Sequence, residues 1–153
     1  MKFMNAFLAT ALAVLAVANA APLNAADGSN LVPTKLRCEY LTNPLGIDAS
    51  APRLSWILET TDKDVIGQAQ TAYRVRVDAS EQDAKALKGA IWDSGWVDSN
   101  ATAQIVYDGA KLASDSSYYW TVQIKDQDGA LSRASDVATW TTGLFEQNEW
   151  SAK

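Results

Sequence analysis

Residues 112–129 read LASDSSYYWTVQIKDQDG, and this stretch limits the fold more than any other. Tyr118, Trp120, Val122 and Ile124 alternate with Tyr119, Thr121, Gln123 and Lys125. Successive side chains of a strand point to opposite faces, so the first set forms one unbroken apolar face. Just upstream, Leu112, Ser114, Ser116 and Tyr118 stand two residues apart. That is the spacing of a run into a tyrosine corner, where a Tyr hydroxyl near the start of a late strand bonds a backbone group a few residues back. Tyr118 is the candidate for this structural role. The stretch predicts an all-β chain, a two-sheet antiparallel β-sandwich, and it does not point to a catalytic site.

The remaining pattern agrees. Leu36, Cys38 and Tyr40 alternate until Asn43-Pro44-Leu45-Gly46 turns the chain. Leu54, Trp56 and Leu58 share one face of a second strand. Residues 71–79 form a third, with Tyr73, Val75 and Val77 on one side and Arg74, Arg76 and Asp78 on the other. Residues 80–87 break the pattern. Ser80 followed by Asp83 resembles a loose capping box and predicts one or two helical turns. Residues 91–96 read as a short edge strand running into a turn. Residues 102–107 form another strand, closed by Asp108-Gly109. Residues 137–142 form the last. About seven short strands, so spaced, are the number a sandwich needs.

The amino terminus is of a different kind. Lys2 precedes an apolar run over residues 7–17, and Ala18-Asn19-Ala20 follows the A-x-A cleavage pattern. Residues 1–20 therefore read as an export signal, with cleavage after Ala20 and alternative sites after Ala25 or Ala26. The run is short for a membrane span and no second one follows. The expected product is periplasmic or extracellular and leaves the membrane once cleaved. Residues 21–30, small and polar, read as a disordered lead-in; residues 31–143 as the sandwich; residues 144–153 as a linker to a downstream domain.

Composition narrows the chemistry. The chain of 153 residues is the size of one domain and carries a net charge of −5. An acidic chain lacks the clustered basic surface that a nucleic-acid partner needs. There is no His, so a Ser-His-Asp or Cys-His nucleophile system is impossible within the chain. The one cysteine, Cys38, cannot form an internal disulfide and reads as a small buried apolar residue.

The order of strand signatures resembles the fibronectin type III fold, an immunoglobulin-like sandwich. The likeness narrows when the motifs are read together. Arg37-Cys38-Glu39-Tyr40, Asn43-Pro44-Leu45-Gly46-Ile47-Asp48, Pro52-Arg53-Leu54-Ser55-Trp56, Gln68-x-Gln70-Thr71-Ala72-Tyr73-Arg74, Trp92-Asp93-Ser94-Gly95 and Tyr118-Tyr119-Trp120 occur in that order. Together they resemble the first domain of bacterial α-L-rhamnosidases, glycoside hydrolases that remove terminal rhamnose from glycosides. In that family a second β-sandwich comes next, and a helical barrel further on carries the catalytic carboxylates. The resemblance therefore implies no catalytic residue, no cofactor and no metal on this chain. It implies either a fragment of such an enzyme or a free-standing remnant, with the downstream domains of the same polypeptide as partners. Trp96 departs from the pattern, which has a polar residue after Asp93-Ser94-Gly95.

Candidate sites are few. Asp93 with Asp98, and Asp126 with Asp128, are paired carboxylates of the sort glycoside hydrolysis uses. Both pairs sit in turn-forming contexts, where Asp bonds its own backbone. Asp126-x-Asp128-Gly129 has the start of a calcium loop without its later ligands. Asn100-Ala101-Thr102 is a glycosylation sequon in a surface loop. Trp56, Trp120 and Trp140 fall on inner faces. Trp92, Trp96 and Trp150 remain as candidates for contact with a sugar or a neighbouring domain. The residues predict a non-catalytic exported module that packs against and orients the downstream domains. The alternative is an independent carbohydrate-binding module that stacks exposed Trp rings on sugar.

Overall fold

The structure is a computed structural model and describes residues 28–64 and 66–145. Eight strands and one short helix are arranged in the order β1 (Leu31–Cys38), β2 (Arg53–Thr60), β3 (Gln70–Asp78), α1 (Glu81–Lys85), β4 (Trp92–Asp93), β5 (Val97–Asp98), β6 (Ile105–Val106), β7 (Ser117–Asp126) and β8 (Ala138–Thr141). One sheet has the order β1-β2-β6. The other runs β4-β3-β7-β8, with β5 also paired to β3. Every strand pair is antiparallel.

The strand count exceeds the expected seven by one because the edge segment is interrupted. Gly95 takes a left-handed φ of 63°, and the chain bends there. β4 and β5 then pair separately with β3.

The inner faces are those the alternation marks. Tyr118, Trp120, Val122 and Ile124 of β7 are buried, as are Tyr73, Val75 and Val77 of β3 and Leu54 and Trp56 of β2. Trp140 of β8 stacks on Tyr118, with centroids 5.5 Å apart, and meets Trp120 edge-on at 6.4 Å. The indole N–H groups of Trp120 and Trp140 find no acceptor among the described residues. An unsatisfied N–H costs roughly 1–3 kcal/mol. Burying 150–250 Å² of ring returns roughly 4–6 kcal/mol, so packing decides the position of both rings. The third core Trp does find a partner. Trp56 Nε1 donates to Gln70 Oε1 at 3.0 Å, and Gln70 Nε2 donates to the carbonyls of Ser99 and Ala101. Gln70 thus joins the two sheets by a buried polar link.

Two local readings need correction, and a third gains detail. Tyr40 does not continue the inner face of β1; it is 53% exposed. Cys38 and Leu41 exchange backbone hydrogen bonds, which makes Glu39 and Tyr40 the central pair of a tight turn, with φ of 49° and 64°. That left-handed pair is the geometry normally reserved for Asn-Gly. The strand expected over residues 102–107 is shorter, because Gln104 also has a positive φ, of 61°. Only Ile105 and Val106 pair, with Leu54 and Arg53 of β2. Arg76 and Asp78 do point away from the core, but both are buried. Residues 89–90 lie across them: the Gly89 and Ala90 amides donate to the Asp78 carboxylate. A Cβ on Gly89 would stand 3.3 Å from Arg76 Cγ and 3.0 Å from Asp93 Cβ.

The helix begins as the capping pattern predicts. Ser80 Oγ accepts from the Asp83 amide at 3.1 Å, and Ala84 is buried. At the start of β7 the Tyr118 hydroxyl accepts from the Ala113 amide, five residues upstream, at 2.8 Å. Thr142 Oγ1 donates to the Ala113 carbonyl at 2.6 Å, so both backbone polar groups of Ala113 are satisfied.

Replacing Tyr118 by Phe leaves the stacked ring in place and removes the acceptor for Ala113. Tyr118→Phe should lower stability by about 1 kcal/mol, seen as a lower denaturant midpoint with an unchanged slope. A midpoint equal to wild type would show that the hydroxyl does not stabilise the fold.

Candidate functional site

Two features of the surface could meet a ligand or a partner. The first is a cleft of about 340 Å³ at the open edge of the sandwich, where β4 and β5 of one sheet face β6 of the other. Tyr73, Trp92, Val97 and Ile105 form its apolar wall; Asp93, Ser94, Gln104 and Asp108 supply the polar lining.

Most of that polar lining is already engaged. Asp93 accepts from Arg74 through two parallel bonds of 2.8 and 2.6 Å. It also accepts from the Gly95 amide at 2.9 Å, and Arg76 Nε stands 3.7 Å away. The Arg74 hydrogen bond holds its carboxyl below the usual carboxylate range, against the opposing effect of burial. A general acid of a glycosidase needs the reverse, a carboxyl held above that range and open to substrate. Ser94 Oγ accepts from the Val75 amide and donates to the Gly95 carbonyl. Gln104 donates to the Tyr40 hydroxyl.

Trp92 is a wall of this cleft and no open platform. Its ring meets Tyr107 edge-on at 5.2 Å. Behind it lies Gly109, where a Cβ would stand 2.6 Å from Trp92 Cβ and 2.5 Å from Tyr107 Oη. Trp96 lies on the other side of the Gly95 bend. It is half-buried, and Lys125 of the outer face of β7 sets its ammonium 4.7 Å from the ring centre. The two Trp residues thus address different faces, although an even spacing separates them. Trp150 falls outside the described residues.

The Asp126 turn is a backbone device. Asp126 Oδ1 accepts from the amides of Asp128 and Ala130, and Gly129 takes the φ of 76° that the turn requires. Among the described residues no group of three or more His, Cys, Asp or Glu could hold a metal ion. Cys38 is buried, and burial, aided by the Glu39 charge, pushes its thiol up to about 12. Such a thiol is protonated and unreactive at neutral pH.

The second feature is the exposed apolar loop before β2. Leu45 is 81% exposed and Leu41 59%. The sequence pattern predicts no more than a plain turn over residues 43–46. The structure lays them along β8 as an extra sheet edge. The Gly46 amide donates to Thr141 Oγ1, the Thr141 amide to the Pro44 carbonyl, and the Thr139 amide to Asn43 Oδ1. Ile47 and Thr142 form a parallel bridge. The available signal is Leu45 itself, a large apolar residue inside an Asn-Pro-x-Gly turn. Leu144 and Phe145, expected at the start of a linker, are half-buried. Phe145 packs against the core, and its amide donates to Ser114 Oγ at 3.0 Å.

The motifs that carry the family resemblance meet in pairs. Glu39 of the first motif and Arg53 of the third form a two-bond ion pair, with the Arg53 guanidinium 5.2 Å from the centre of the Tyr40 ring. Trp56 of the third bonds Gln70 of the fourth. Arg74 of the fourth clamps Asp93 of the fifth. These are fastenings of the fold.

The comparisons bear out the family resemblance. Residues 33–146 match the Rha78A-like, N-terminal immunoglobulin domain, and the chain belongs to that family. An α-L-rhamnosidase of Streptomyces avermitilis is 39% identical over 125 residues, which are 82% of this chain and 12% of that protein. An α-L-rhamnosidase of Alteromonas sp. is 32% identical over 78% of this chain and 13% of its own length. Among solved structures, α-L-rhamnosidase from Dictyoglumus thermophilum has a TM-score of 0.74 at 38% identity, over 80% of this chain and 13% of that one. The Streptomyces avermitilis enzyme, solved in complex with L-rhamnose, has a TM-score of 0.73 at 40% identity, over 80% and 12%. This chain therefore spans about an eighth of the length of those relatives and corresponds to their amino-terminal immunoglobulin-like domain, not to their catalytic part.

The Asp93 clamp makes a pH signature. Its folded carboxyl ionises at lower pH than the unfolded one, so its stabilisation is present above about pH 4 and is lost as pH falls through the folded value. Asp93→Asn should cost on the order of 2 kcal/mol at pH 7. That gap from wild type should close on acidification below about pH 4. A gap that stays constant from about pH 7 to the acid limit of the titration would show that the charge of Asp93 is not what matters.

Proposed function

We propose that this chain is an exported, non-catalytic accessory domain of an α-L-rhamnosidase, and that it packs against and orients the domains downstream of it. The observation that carries this reading is its match to the amino-terminal eighth, roughly, of proteins named α-L-rhamnosidase. The character of its surface supports it. The most regular polar constellations, Glu39–Arg53 and Arg74–Asp93, are engaged in holding the fold, while large apolar residues stand exposed on loops and on the edge strand β6. Exposed apolar residues grouped together mark contact with another protein surface. Export rests on the signal-like residues 1–20. No helix among the described residues is long and apolar enough to cross a membrane.

The described Trp residues lend the carbohydrate-binding alternative less support. It needs open Trp rings, yet Trp56, Trp120 and Trp140 are core. Trp92 is wedged, and one side of Trp96 is taken by Lys125.

The purified chain should release no chromophore from an aryl rhamnoside, with the Streptomyces avermitilis enzyme as the active control. Turnover that co-purifies with the chain would overturn the non-catalytic reading. Deleting the matching domain from that enzyme should lower its thermal midpoint. A truncated enzyme with unchanged stability and unchanged activity would overturn the packing reading.

A further inference from the structure

If this domain is a packing module, one of its faces must receive the neighbour. We infer that this face is the edge formed by Leu41, Leu45 and the exit of β8, and that its occupant is the next folded unit of the same polypeptide, docking through an apolar surface. The inference rests on the packing reading above and adds to it a location.

Three observations converge on this edge. Leu41 and Leu45 are large, apolar and exposed, four residues apart in one loop. The loop is not loose. Asn43, Pro44, Gly46 and Ile47 are each hydrogen-bonded to β8 or to the residues just after it. A surface already held in place loses little conformational freedom on docking. The chain also leaves the sandwich here. The Gly143 amide donates to the Ile47 carbonyl at 2.7 Å, and a Cβ on Gly143 would stand 3.2 Å from the Gly46 carbonyl oxygen. Exit and loop are thus in direct contact.

Nearness to the exit then favours this edge over the others. A unit that follows on the same chain is tethered beside Gly143 and Ile47, and tethering raises its effective concentration at that edge, so even a modest apolar patch suffices. The competing surfaces are less well placed. The Trp92 cleft lies at β4, the opposite edge of the sheet from β8. Val106 lies on β6, at the edge of the other sheet.

The test is a side-chain footprint by hydroxyl-radical labelling. It compares the 153-residue chain with a chimera in which this chain replaces the matching domain of the Streptomyces avermitilis enzyme. Labelling of Leu41 and Leu45 should fall several-fold in the chimera. Leu41→Ser with Leu45→Ser should speed proteolytic separation of the two parts, with Ile57→Ser as the surface control. The free chain carrying the same changes should keep its unfolding midpoint. If the chimera does not fold, adding the free chain to the truncated enzyme gives the same footprint comparison. Protection of Val106 or the Trp92 cleft with Leu41 and Leu45 unchanged would overturn this location and leave the packing reading standing. Protection nowhere would overturn both.

Discussion

The apolar face of β7 must be removed from water, and the rest of the molecule is arranged around that burial. Tyr118, Trp120, Val122 and Ile124 lie in one row. β3 pairs with β7 along almost its whole length, and its own inner row, Tyr73, Val75 and Val77, doubles the apolar surface. No single sheet can cover that area, so the β1-β2-β6 sheet is set over it with Leu54 and Trp56. Trp140 closes the far side. The penalty of two indole N–H groups without an acceptor among the described residues is accepted because the area they bury is worth more.

Polar side chains then fasten what burial has brought together. Gln70 links a Trp of one sheet to the backbone beyond the other. Arg53 supports a turn whose central residues, Glu39 and Tyr40, are held in the left-handed region. For residues other than Gly that region costs about 1–2 kcal/mol each. Glu39 answers with bonds to both the Arg53 amide and its guanidinium, which fix the turn against β2. Arg74 and Asp93 tie the broken edge strand to β3, and Asp93 caps the Gly95 bend that breaks it. Three of these pairs join residues of different motifs that carry the family resemblance.

A domain whose most regular polar groups serve its own fold has little left for chemistry. On the packing reading proposed above, function moves to the outside, to the apolar side chains that the core does not absorb. Leu41 and Leu45 are such residues: Leu41 follows a turn closed by its backbone bonds to Cys38, and hydrogen bonds to β8 hold the loop around Leu45. On that same reading, they supply a contact surface to a neighbouring unit.

The sandwich is legible in the sequence because strand alternation has a period of two and a buried face must be apolar throughout. Residues 118–124 and 73–77 state this without ambiguity. The helical turn is legible because Ser80 and Asp83 stand at capping distance. The turn at Glu39-Tyr40 is not, since no propensity favours those residues at positive φ, and its side-chain partner Arg53 lies fourteen positions from Glu39. The bend at Ser94-Gly95 between Trp92 and Trp96 is legible as a turn after the edge strand; what each ring then meets, Tyr107 for one and Lys125 for the other, is not. The exposed leucines look like part of a turn because the sequence does not reveal which strand a loop will lie against. Local pattern thus determined the layers and what fills them. The tertiary structure decided which distant residues meet and which side of the molecule stays open, because those depend on long-range pairings that no short stretch of chain contains.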